Sequence, residues 1–259
     1  MNTLSQKLLS IKDKIAVITG GSSGIGAATA ELLARLGAKI ILLDVNAHGG
    51  EHQAAKIQKA GQSARFIHCD VTDEKACQKV ARAVEESYGR VDILFNNAGV
   101  IVRKKVTELE EAEWDAVIDV SMKGAYLLSK HLIPLMKKGG GAIVNTGSGW
   151  SIKAGPDAVA YCAAKAGVLN MTRSMAIDYG KYNIRVNCIC PGDTDTALLK
   201  SEAKQLGEDE KAFYAEAADR PLGRMGTPED IAKSVLFLVS PLSEWVSGTS
   251  LLVDGGGMA

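Results

Sequence analysis

The chain has 259 residues, 46% hydrophobic and 23% charged, with 30 lysines plus arginines against 30 aspartates plus glutamates. That make-up suits an ordinary globule able to bury a large core, at a size one α/β sheet can reach. The balanced charge excludes the strong positive field that a nucleic-acid partner or an anionic membrane surface would require.

The N-terminal stretch MNTLSQKLLSIKDK has no apolar run of signal-peptide length, and no later stretch reaches the roughly 18 apolar residues of a membrane span. A cytoplasmic protein with no membrane and no nucleic-acid partner is expected. The five cysteines, Cys69, Cys77, Cys162, Cys188 and Cys190, lack the paired CxxC spacing of zinc or redox sites. They read as reduced, mostly buried small hydrophobes, and no metal site is expected.

Short apolar runs alternate with longer segments of helical period. KIAVIT is followed by a helix over Gly24 to Leu36, KIILLD by one over Ala47 to Ala60, and RFIHCD by one over Asp73 to Tyr88. VDILFN leads to a long helix over Leu109 to Lys138; then come the strand GAIVNT, a helix over Ala158 to Tyr179, and the strands IRVNCI and SLLVD. About seven strands without alternating polar residues predict a parallel sheet covered by helices on both faces, doubly wound through right-handed crossovers. The chain thus reads as one domain over 1–259, with residues 1–11 as an N-terminal extension. One segment breaks the rhythm: within 196–220, ALLKSEAKQLGEDEKAFYAEAADR is charge-rich and helix-forming where a short loop would suffice. It follows a strand's C-terminal end, the edge where open α/β sheets bind ligands, and is expected to form a substrate lid.

Between the first strand and the first helix stands Thr19-Gly20-Gly21-Ser22-Ser23-Gly24-Ile25-Gly26. Such a loop cradles phosphate: Gly20 permits the tight turn, Gly24 lets backbone approach a pyrophosphate, and Gly26 lets the helix sit close on the strand. The second strand ends at Asp44, eighteen residues beyond Gly26, near where an acid accepts the ribose hydroxyls of a dinucleotide. A 2′-phosphate would set about −1.5 to −2 further charge beside that carboxylate, and neither Ser22 nor Ser23 is a cation, so NAD is expected over NADP. The alternative is that Asp44 only caps the following helix.

With TGGSSGIG, NNAG from Asn96 to Gly99, Ser148, Tyr161-x-x-x-Lys165 and PGDTDT from Pro191 to Thr196, the chain closely resembles the short-chain dehydrogenase/reductase family from about Ile15 to Gly257. PLGRMGTPEDIA and VSGTSLLVDGG look like the family's C-terminal signature. The resemblance implies a Rossmann fold, a nicotinamide cofactor, and an enzyme that interconverts a secondary alcohol and a ketone. It also implies that Ser22, Ser23 and Ile25 lie along the dinucleotide and Asp70 and Val71 at the adenine. Asn97, Ala98 and Gly99 would follow the central strand, and Pro191, Gly192, Thr194 and Thr196 would lie towards the nicotinamide. For Asn97 a role in steadying the sheet is an equal alternative.

Tyr161 and Lys165 are four apart in a helical segment and so share one face. A free tyrosine titrates near 10, and lowering it by roughly three units takes about 4 kcal/mol, within joint reach of the Lys165 ammonium and a positive nicotinamide. Tyr161 would exchange the hydroxyl proton while hydride passes to or from the cofactor, and Ser148, thirteen residues earlier, would share the oxyanion charge. Lys165 would also bind the nicotinamide ribose. One position departs from the family: Val120-Ser121-Met122-Lys123-Gly124 stands where relatives usually read V-N-x-K-G. The relatives' asparagine is thought to hold a water linking the lysine to solvent. Serine is shorter and would keep that relay only with a changed helix or a second water, so a slower or more pH-sensitive proton step is expected.

Candidate substrate contacts flank these residues: Val100, Ile101 and Arg103 after NNAG, then Trp150, Asp157 and Asp193. Trp150 and Ile101 could line an apolar wall, Asp157 or Asp193 could accept hydroxyls, and Arg103 could meet an anion. A polar small molecule such as a sugar, polyol or hydroxy acid goes with NAD and catabolic oxidation. A 3-oxoacyl carrier-protein or other carbonyl reductase is one alternative, and a non-catalytic NAD-binding sensor is another. The resemblance further implies a homotetramer, consistent with the apolar helix that carries Trp114.

Overall fold

The computed structural model describes residues 8–259. Of the expected extension 1–11, residues 1–7 lie outside that range, and Ile11 is already buried in the core. One sheet holds β1 (Ile15–Thr19), β2 (Lys39–Asp44), β3 (Ala64–His68), β4 (Ile93–Asn96), β5 (Gly141–Thr146), β6 (Ile184–Pro191) and β7 (Ser250–Val253). Its order is β3-β2-β1-β4-β5-β6-β7, and every pairing is parallel. The chain winds outward from β1 in one direction and then from β4 in the other, which leaves a crevice at the C-terminal ends of those two strands.

The helices are α1 (Gly24–Arg35), α2 (Ala47–Lys59), α3 (Glu74–Tyr88), α4 (Glu111–Ile118), α5 (Gly124–Met136), α6 (Val159–Tyr179), α7 (Ala197–Leu206), α8 (Glu210–Ala218) and α9 (Pro228–Val239). Neighbouring strand residues point to opposite faces, and here both faces are covered. Ala16, Ile18, Ile40 and Leu42 pack against Leu33 of α1, Ile57 of α2 and Val235 of α9. Ile15, Val17, Ile41 and Leu43 pack against Val80 of α3, Leu132 of α5 and Met175 of α6. Double coverage is why these strands read as unbroken apolar runs, each large side chain contributing about 1.5–3 kcal/mol through burial.

The continuous helix expected over Leu109 to Lys138 is interrupted. Asp119–Lys123 form a π-helical turn that joins α4 to α5 and contains Ser121. The insertion after β6 folds as α7 and α8, with Thr196 accepting the N-cap hydrogen bond from Leu199 and Gly207 ending α7 in the left-handed conformation. Among the described residues, no helix is long and apolar enough to cross a membrane, and no cluster of His, Cys, Asp or Glu could hold a metal ion. All five cysteines are free thiols.

Candidate active site

A cavity of about 600 Å³ runs along the C-terminal strand ends, from Asp44 and Asp70 past the glycine-rich loop to Ser148, Tyr161 and Asp193. Gly20 and Gly24 adopt the left-handed conformation, with φ of 63° and 52°. At Gly26 an added Cβ would collide with the Gly20 carbonyl oxygen, so glycine is what allows α1 to begin there. Ser23 makes no capping hydrogen bond and the first turn of α1 holds no acidic residue, so its N-terminal donors and positive dipole end remain available to an anion.

Asp44 is tied into this loop. Its Oδ2 accepts from the Ser22 N–H at 3.0 Å and its Oδ1 from the Asn46 N–H at 2.9 Å. The cap of α2 is Asn46, which accepts from Gly49 N–H, so capping does not account for Asp44. Each carboxylate oxygen keeps a further lone pair for a hydroxyl donor. Asp70 and Val71 line the same end, Asp70 also accepting from Thr72. Asn97 does structural work: its side-chain N–H groups donate to the carbonyls of Thr19 and Gly20, and its backbone N–H, with that of Ala98, donates to Thr19 Oγ1. Ala98 and Gly99 continue the cavity wall, and Gly192, Thr194 and Thr196 close it after Pro191. The Thr196 methyl meets the loop beside Gly24.

At the other end, Tyr161 and Lys165 lie on one face of α6, both buried, with Lys165 Nζ 5.5 Å from the Tyr161 ring centroid. The ammonium donates to the Thr146 carbonyl oxygen at 2.7 Å. Burial draws its pKa down to about 8. The Tyr161 phenol is not lowered by its surroundings in the chain. Burial pushes it up, the negative field of Glu202 adds to this, and the Ser148 hydroxyl opposes both. Ser148 begins a 3-10 turn after β5, where its Oγ accepts from the Trp150 N–H at 3.1 Å.

Ser121 is buried in the π turn. Its Oγ accepts from the Val100 N–H at 3.3 Å and donates to the Val100 carbonyl at 3.4 Å. A Cβ built on Gly99 would lie 3.3 Å from Lys165 Nζ and 3.5 Å from Ser121 Oγ, so both residues face the same glycine.

Two expected substrate contacts are corrected. Ile101 is buried beneath the cavity, packed with Val117, Ala158 and Tyr161, while its neighbour Val100 lines the wall. Adjacent residues of an extended segment point opposite ways. Asp157 sits with a left-handed φ of 50° at the entry to α6, off the cavity wall in an adjoining shallow depression beside Lys104 and Cys162. Trp150 and Asp193 do line the cavity. Trp150 stands edge-on to Tyr161, with ring centroids 6.0 Å apart, and Asp193 pairs with Arg220. Arg103 meets a carboxylate from within the chain, donating to Glu202 Oε2 at 2.6 Å while its guanidinium covers the Trp150 ring. Glu202 was not singled out in the sequence. In ALLKSEAKQL it resembles one more solvated helix charge, and only its position in a segment flanking the crevice hints otherwise.

Comparison with known proteins agrees with this geometry. A family profile described as enoyl-(acyl carrier protein) reductase matches residues 20–257. The NAD-dependent glycerol dehydrogenase of Listeria innocua is 38% identical over 252 residues, covering 96% of each chain. The cis-4-hydroxycyclohexanecarboxylate dehydrogenase of Sinomonas cyclohexanicum is 40% identical, covering 94% of this chain and 96% of its own. Among solved structures, one from Beutenbergia cavernae, provisionally assigned as an NAD(P)-dependent gluconate 5-dehydrogenase and holding NADP at low occupancy, superposes with a TM-score of 0.90 at 33% identity, covering 97% of this chain and 99% of its own. The profile match and these near full-length relatives establish that the chain belongs to the short-chain dehydrogenase/reductase family.

Proposed function

We propose that this oxidoreductase interconverts a secondary alcohol and a ketone using NAD(H), with Tyr161 as general acid and base, on a polar small molecule such as a sugar or polyol. The carrying observation is that Ser148, Tyr161 and Lys165 line the same cavity whose far end holds Asp44 and the glycine-rich loop. When bound there, the dinucleotide supplies the hydride acceptor or donor and, oxidised, a positive charge. The helix N-terminus would hold its pyrophosphate, and Asp44 its adenosine ribose. The cavity's cationic residues, Lys153, Lys165 and Arg220, belong to the opposite end, so among the described residues no cation on the cavity wall beside Asp44 offsets a 2′-phosphate.

In the oxidation direction Tyr161 must first lose its proton. It then takes the proton from the substrate hydroxyl, and Ser148 and Tyr161 together hold the oxygen as charge builds on it. Lys165, anchored by Thr146, favours the phenolate through its charge and would also bind the nicotinamide ribose. The burial that raises Tyr161 makes oxidation faster as pH rises, because the reactive form is the deprotonated one. The segment 196–220 serves as a lid over the substrate end, with Glu202 and Leu199 of α7 on the cavity wall.

A steady-state screen of alcohols, polyols and ketones with both cofactors tests this reading. NAD should be favoured over NADP in kcat/KM by about 50-fold or more. Tyr161→Phe should lower kcat by about 10³-fold with NADH affinity little changed. A fully active phenylalanine variant would remove Tyr161 from the mechanism, and a preference for NADP would remove the assigned role of Asp44. Tight NADH binding with no turnover of any compound would favour a sensor.

A further inference from the structure

We propose that Glu202 is the specificity-determining residue for a neutral, polyhydroxylated substrate, accepting a hydrogen bond from a hydroxyl other than the one oxidised. This rests on the cavity being the site of an alcohol dehydrogenase, as argued above, and narrows the substrate class. Glu202 comes from α7 of the lid, is 9% exposed, and lines the cavity together with Ser148 and Tyr161. Its carboxyl is held above the usual carboxylate range by burial, against the opposing effect of Arg103. An acid so placed is costly and needs partners. One partner is Arg103, a positioning residue that does not itself line the cavity, whose Nη1 donates to Oε2 at 2.6 Å.

Arg103 is itself fixed. Its guanidinium lies 5.0 Å from the Trp150 ring centroid, its backbone N–H donates to Gln205 Oε1 at 2.9 Å, and Gln205 Nε2 donates to the Ile101 carbonyl. Among the described residues no donor is hydrogen-bonded to Glu202 Oε1. A carboxylate only accepts, so its complement is an O–H or N–H donor, never another anion. The second carboxylate of this end, Asp193, is occupied by Arg220. The remaining cation besides Lys165, Lys153, is exposed at the rim. A hydroxy acid would bring its charge against Glu202 and Asp193 with their cations already engaged. A simple monoalcohol would leave Oε1 without a donor, and a diol or polyol supplies one.

Matched pairs test the assignment: glycerol against 2-propanol, and cis-1,2-cyclohexanediol against cyclohexanol, with gluconate as the anionic polyol. The wild type should favour the diol member of each pair in kcat/KM by about tenfold or more, the worth of one hydrogen bond to a charged group. Glu202→Gln should shrink that preference by about tenfold and bind NADH normally; its effect on the Tyr161 phenol is shared by both members of a pair and cancels from the ratio. Equal losses on both members of a pair would make Glu202 a merely structural residue and overturn the proposal. Should the variant fail to bind NADH, the wild type alone still decides: no diol preference, or a preference for gluconate over glycerol, refutes the assignment. Failure of the underlying reading looks different, with the wild type oxidising no member of any pair, and the proposal then falls with it.

Discussion

Lys165 stands where function and stability pull apart. It is 2% exposed, and among the described residues its single hydrogen bond, to Thr146, leaves two of its three donors without a protein acceptor. Burial has drawn its pKa to about 8, below the roughly 10.4 of an unfolded chain. The folded state therefore gives up a proton that the unfolded state keeps between those values, and stability attributable to this group rises with pH across that window and falls away below it. Lys165→Met should thus abolish turnover and raise the melting temperature of the cofactor-free protein by a few degrees at pH 7. The gain should narrow at pH 9.5. Thermal melts at the two pH values check this, and a lower melting temperature for the variant at pH 7 would refute it. The pairing of Tyr161 with Lys165 was legible in the sequence because a spacing of four on a helix puts both on one face. The direction of the Tyr161 shift was not, since it depends on burial and on Glu202, which the fold brings from a distant segment. The same holds for Ile101: its composition suits a cavity wall, but only the direction of its side chain decides that Val100 takes that place.

At the scale of elements, strands and helices could be read because apolar runs and helical period alternate cleanly, and the doubly wound sheet followed. What periodicity could not reveal was the π turn over Asp119–Lys123. One wider turn within a long apolar pattern leaves the apolar spacing on each side intact, and DVSMK contains neither glycine nor proline to announce a break. That turn carries Ser121, which bonds the Val100 backbone and faces Gly99 together with Lys165. The serine hydroxyl is engaged with the loop after β4, so its reach towards Lys165 is shorter than an amide's would be. Ser121→Asn should therefore speed the proton step. Single-turnover oxidation should become faster below pH 8 and less steeply dependent on pH, with NADH affinity unchanged. Superimposable pH profiles for the two proteins would show that Ser121 does not limit proton transfer.

At the scale of the whole molecule, the described surface carries several large exposed apolar groups. Trp245, just before β7, is 98% exposed and Ile177, near the end of α6, is 82% exposed. The two regions meet, for Ala176 lies against Gly248. Tyr126 of α5 and Trp114 of α4 add further exposed aromatic surface on the helices that cover one face of the sheet. In the sequence these residues look like core, because apolar period does not distinguish a face buried within one chain from a face buried between copies. From two such surfaces on one chain we propose a closed assembly with two kinds of two-fold contact, a homotetramer. An interface tryptophan typically contributes about 2 kcal/mol or more to association, and a charge in its place would also have to be desolvated. Trp245→Glu should consequently lower the mass measured by light scattering from four copies to two or one at micromolar protein, while NADH binding persists because the cavity is elsewhere. A wild type that scatters as a monomer, or a variant that remains tetrameric, would show that Trp245 does not seal an interface.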